Sequence, residues 1–202
     1  MYSLLRFLVL VLNVLSITIS LRPIYALPAA QRRDVSTLDG YVDNMMLCAT
    51  NFELLAQEPA SSCPIECIAE VSCFVDNLRY FQSTLAELAA DNDFADSTSL
   101  DSLQSDMGRI VIAQKQVVKG VEFIIEAVQK VPSDLGSTLS NVLFENARLL
   151  SGICDGAEIR EIESHLTSAL IQLSQHELPF LLREACRLDP EEAQAAGPCL
   201  AL

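Results

Sequence analysis

From Leu100 to Val131 one stripe recurs every three or four positions: Leu100, Leu103, Met107, Ile110, Gln114, Val117, Val121, Ile124, Val128 and Val131. Side chains three and four apart share a helix face, so this spacing predicts a long α-helix with one buried side. Val111, Val118 and Ile125 widen the stripe and predict a central helix with neighbours on two sides. Pro132, which has no N–H for the helix ladder, ends it. No stretch alternates at the two-residue period of a strand, so the rest of the chain is read as helical too.

A first helix is expected over 36–57, with Leu38, Val42, Met45, Ala49, Phe52 and Leu55 inward and Ser36 as cap. Glu58-Pro59-Ala60-Ser61-Ser62 is the turn. A second helix starts at Ser62 with Pro64 in its first turn and runs to Ala90 through Ile68, Val71, Val75, Leu78, Phe81, Leu85 and Leu88. Asp91-Asn92-Asp93-Phe94 breaks the pattern, and Ser97, Thr98 or Ser99 restarts it. After Ser133-Asp134-Leu135-Gly136 a fourth helix is expected to Leu150, then a break around Cys154 between Gly152 and Gly156. Asp155 and Glu158 offer a capping box for a fifth helix through Ile159, Ile162, Leu166, Ala169, Leu170 and Leu173. Pro179 opens a short sixth helix to Leu188. The fold class is therefore all-α, a disulfide-stapled bundle of five to six helices over 34–188, with 189–202 a flexible tail.

Residues 1–33 contain no acid and run apolar from Phe7 to Leu21 behind Arg6. That run is short for a bilayer crossing and fits the core of a secretory signal, so 1–26 is read as a signal peptide ending near Ala26. Arg32-Arg33 is a dibasic step before the first helix. Cleavage after Arg33 would make 27–33 a pro-segment and leave no membrane span in the mature form. The mature chain then keeps 27 acidic and nine basic residues on 169 positions, a net charge of −18. Such a surface repels phosphate backbones, so no nucleic-acid partner is expected.

Seven cysteines in a secreted chain point to disulfides. If the first two helices are antiparallel about residue 60, positions whose numbers add to about 121 are level, which pairs Cys48 with Cys73. Cys63 and Cys67 share a face near the turn, within reach of Cys154 and Cys186. Cys199 is left over, unpaired or available to link two copies. The gaps in Cys63-x3-Cys67-x5-Cys73 are wrong for zinc, and no second ligand pair follows. The closing Cys199-Leu200-Ala201-Leu202 resembles a prenylation signal, but a translocated chain never meets the cytosolic transferase.

The usual catalytic patterns are missing. His165 and His176 are too far apart along a helix to share a ligand, and Phe180 stands where a zincin's second histidine belongs. Asp91-x-Asp93 starts like a calcium loop, then Ala95, Asp96 and Ser102 depart from it. No nucleophile elbow, P-loop, dinucleotide fingerprint or N-glycosylation sequon occurs. A non-enzymatic protein without cofactor or metal is expected.

The leader, the dibasic step and then Arg33-Asp34-Val35-Ser36-Thr37-Leu38 opening a helical domain resemble the fungal hydrophobic surface-binding proteins and related cell-wall mannoproteins. The helix order over 34–185 is similar, including the Leu135-Gly136 step, while the seven cysteines depart from that family. The resemblance implies a non-catalytic protein of the cell exterior that adsorbs to apolar surfaces or holds an apolar ligand. Half of all residues are apolar in a strongly acidic chain, which supports the same expectation. Met45, Met46, Phe52, Phe74, Phe81, Met107 and Phe123 are the candidates to line such a site. The alternative is an effector or inhibitor presenting an acidic helical face to a protein partner.

Overall fold

The computed structural model describes residues 35–57, 64–90, 97–127, 133–155 and 163–189, all within one compact unit, Arg33–Leu202. Ala26, Arg32, Arg33, Cys63, Cys199 and the segments 1–26, 27–33 and 190–202 lie outside the described residues. The described elements are helical, with no strand among them: α1 (Val35–Ala56), α2 (Pro64–Ala90), α3 (Ser97–Ala127), α4 (Ser133–Asp155), α5 (Glu163–Gln172), a π-helical segment (Leu173–Glu177) and α6 (Leu178–Leu188). No described helix is long and apolar enough to cross a membrane.

Each helix turns its apolar stripe inward. Leu38, Val42, Met45, Ala49 and Phe52 of α1 are buried, as are Val71, Val75, Leu78, Phe81, Leu85 and Leu88 of α2. α3 buries Leu103, Met107, Ile110, Val117 and Val121, and α4 buries Leu139, Leu143, Ala147, Leu150 and Ile153. These side chains form one continuous core, so the helices owe their stability to packing more than to intrinsic propensity.

Three cross-links set α1 and α2 antiparallel and in register. Tyr41 stacks on Tyr80 with ring centroids 5.8 Å apart. Cys48 is bonded to Cys73 with their Cα atoms 6.1 Å apart, and Asn51 Nδ2 donates to Glu70 Oε2 at 3.4 Å. The residue numbers of every pair add to 121. Closing a loop of this length stabilises the fold by about 3 kcal/mol in the chain-entropy picture.

α3 runs parallel to α1. Gln116 Nε2 donates to Thr50 Oγ1 at 3.2 Å, Lys119 pairs with Glu53 at 3.6 Å, and Arg109 bonds to Asp39 and Asp43. A Cβ at Gly120 would overlap the Phe52 ring, so glycine is what lets α1 and α3 approach so closely there. α4 runs parallel to α2, tied by Arg79 and Glu145 at 3.2 Å. Gly152 again makes room, here for the Gln82 side chain.

That close approach revises the expected break after Leu150. Gly152 lies inside α4, which begins at Ser133 and continues through Cys154 to Asp155. The expected sixth helix, opened by Pro179 and running to Leu188, is present as α6 with Pro179 in its first turn. α5, the π segment and α6 follow one another without interruption as a fifth rod, in which the Leu178 N–H bonds to the Leu173 carbonyl. Proline at position 179 would clash with the carbonyl four residues back in a regular α-helix. The wider π turn just before it relieves that clash and lets the rod continue.

The main packing partners close a ring. α1 touches α2 and α3, α2 touches α4, α4 touches α6, and α5 touches α3. The π segment contacts both α3 and α4, so the fifth rod crosses from one to the other there.

Candidate functional site

Five of the seven apolar candidates meet in the shared core. Met45 of α1, Phe52 of α1, Phe74 and Phe81 of α2 and Met107 of α3 are fully buried and belong to one cluster. Met46 packs at its edge. Phe123 is set apart, 39% exposed on α3, because its position falls off the inward stripe formed by Val117 and Val121. Five of the candidates therefore lie in the interior of the bundle, with Met46 at its edge and Phe123 on the surface.

The interior also holds polar groups. Thr84, Asp106, Gln114, Ser140, Asn146, Glu177 and Glu184 are all buried. Ser140 Oγ donates to the Ala185 carbonyl at 2.8 Å, joining α4 to α6. Glu177 Oε1 accepts from Gln172 Nε2 at 3.1 Å across the π segment. Glu184 is met at the surface by Arg183 at 2.9 Å and Arg187 at 3.5 Å. Gln114 and Asn146 differ: among the described residues, neither the nitrogen nor the oxygen of either carboxamide has a hydrogen-bond partner. Buried polar groups in folded proteins are nearly always paired, so two amides unpaired at both ends mark this interior as unusual.

Two charged clusters flank the bundle. Arg109 gathers Asp39 and Asp43 from α1 and Asp106, at 3.4 Å, from its own helix. Burial, with Asp39 adding to it, pushes the Asp106 carboxyl up to about 6 against the pull of Arg109. On the α2–α4 side the opposite holds. Hydrogen bonds from Arg148 first, then Arg79, draw Glu145 down to about 2.

The cysteines fall into two groups. Besides the Cys48–Cys73 bridge, Cys67 and Cys186 each take part in a disulfide. Cys154, expected in a bridge, is instead a free thiol. α4 continues through it, and burial with the neighbouring Asp155 raises the thiol to about 11, so it stays protonated and weakly nucleophilic near neutral pH. Glu70 lies with Cys48 and Cys73 in a group whose ligand atoms are within 4.8 Å. With both sulfurs in the disulfide, the group offers no thiolate.

Sequence reasoning placed Gln114 on the buried stripe of α3 without weighing its polarity, and passed over Asn146. The signal was present: Leu139, Leu143, Asn146, Leu150 and Ile153 form a stripe in which only one residue is polar. No protein-family model matches the chain, and neither the curated proteins nor the solved structures contain a match.

Proposed function

We propose that this protein is a secreted, non-enzymatic carrier that holds an apolar small molecule in the interior of its helical bundle. The supporting observation is the closed ring of helical rods around one interior containing Met45, Phe52, Phe74, Phe81 and Met107. Methionine and phenylalanine suit such a role because unbranched thioethers and ring edges repack around varied apolar shapes. The leader-like first segment and the resemblance to hydrophobic surface-binding proteins favour the same reading.

Native mass spectrometry of protein collected from culture medium tests it. The expected result is an additional small-molecule mass that disappears on denaturation. A bare polypeptide that takes up neither fatty acyl nor sterol probes would remove the carrier reading.

A second reading has its own observation. Leu47 and Leu54 on α1, and Ile112 and Phe123 on the adjacent α3, are large apolar side chains left exposed. They favour contact with an apolar surface or a protein partner through the outer side of these two helices. Salt separates this from a contact made by the acidic face: charge-led binding weakens steeply with ionic strength, and apolar contact hardly changes.

A further inference from the structure

Gln114 and Asn146 sit on core-facing positions of α3 and α4, fully buried, with four amide atoms unpaired. The helix register sets them at neighbouring levels. Gln116 reaches Thr50 and Cys48 joins Cys73, which puts Gln114 level with the stretch of α2 around Cys73 and Phe74. Arg79 reaches Glu145 and Gln82 lies against Gly152, which puts Asn146 level with α2 a little further along, near Leu78. The axial separation is on the order of 5–10 Å at 1.5 Å per residue. The π segment packs against both helices.

An unpaired buried amide group is destabilising, and aliphatic residues of similar shape would avoid that cost. A partner that supplies both a donor and an acceptor would offset it. We infer that Gln114 and Asn146 form the polar end of an internal site for a neutral amphiphile, an uncharged hydroxyl- or ester-bearing head on a long apolar chain. This rests on the carrier reading above and names its ligand class.

Neutrality follows from the surroundings. Among the described residues no lysine, arginine or histidine is buried, whereas Asp106, Glu177 and Glu184 are. An anionic head would meet three carboxyl groups and no buried basic side chain, and a cationic head would find Asp106 and Glu184 already held by Arg109, Arg183 and Arg187. A hydroxyl donates to an amide oxygen and accepts from an amide N–H, so it matches both ends of the pair.

The experiment compares 1-oleoylglycerol with oleate, which share one acyl chain and differ in the charge of the head. Both are offered to the whole protein by equilibrium dialysis at about pH 8, where oleate is ionised, below their aggregation concentrations. The expected result is at least about tenfold tighter binding of 1-oleoylglycerol. In Gln114→Leu and Asn146→Leu that preference should collapse while the ligand-free protein melts higher, since an unpaired amide has been removed. Gln114→Met, closer in shape, is the second variant should leucine disturb packing. Equal binding of the two probes, or preference for oleate, overturns the neutral-head site and leaves the carrier reading standing. A preference that survives in the variants overturns the assignment to these two residues. Uptake of neither probe overturns the carrier reading, and this inference with it.

Discussion

The first three helices and the fifth rod are held in different ways. α1 is fixed to α2 by a stacked tyrosine pair, a disulfide and an amide–carboxylate bond, and to α3 by Phe52 against Gly120 and by the Arg109 cluster. The rod buries Leu170, Leu173, Leu181 and Ala185, but the same inward face carries Glu177 and Glu184. Its backbone passes through a π turn, and one of its cross-ties is the single hydrogen bond from Ser140 to Ala185. The rod is thus held by a mixed apolar and acidic face and by the disulfide at Cys186, whereas α1–α3 are joined by several cross-links over a mainly apolar interface. Local opening of the rod is expected to cost less than opening of α1–α3.

The largest effect expected from this contrast is at Phe52. Phe52→Ala should lower stability by about 3–5 kcal/mol, and Leu181→Ala on the rod by about 2–3 kcal/mol, both read from urea unfolding. A larger loss at Leu181 than at Phe52 would reverse the comparison.

The next effect is a pH dependence that separates the two charged clusters. Asp106 is raised from 3.8 to about 6, so the folded state binds the proton more tightly than the unfolded state. Its contribution therefore falls as pH rises between those two values, by on the order of 1–3 kcal/mol in all. Asp106→Asn should flatten that slope, as measured by melting across the window. Glu145, lowered from 4.5 to about 2 at a partly exposed site beside two arginines, has the opposite sign: what it contributes is present above its unfolded value and lost on acidification toward about 2. An unchanged slope in Asp106→Asn would place the titration elsewhere.

The smallest effect sharpens the picture of the rod. Ser140→Ala removes its buried hydrogen bond to the Ala185 carbonyl and should cost about 1 kcal/mol. Hydrogen exchange should quicken in α6 and stay unchanged in α2; protection lost equally in both would mean that the rod opens only with the whole bundle.

Much of this was legible in the order of residues. The inward stripes of α1, α2 and α3 follow from three-and-four spacing, and the level pairing of Cys48 with Cys73 follows from an antiparallel turn near residue 60. Both depend on local periodicity, which the chain carries in itself. The breaks were less legible. Gly152 reads as a helix stop, yet it is a point where α2 presses against α4; Pro179 reads as a helix start and does open α6, but the order of residues does not show the π turn that joins this helix to α5. A glycine or proline has one local tendency, and a neighbouring helix decides whether that tendency is used. Gln114 and Asn146 were visible as polar residues on apolar stripes, but their lack of partners was not. Partners come from other helices, and only the packed bundle shows which are in reach. By itself, then, the sequence determined helix faces and one crosslink, because these arise within a turn or across one hairpin. The tertiary structure alone decided the continuous fifth rod, the free thiol at Cys154 and the unpaired amides, because each depends on what distant segments bring against it.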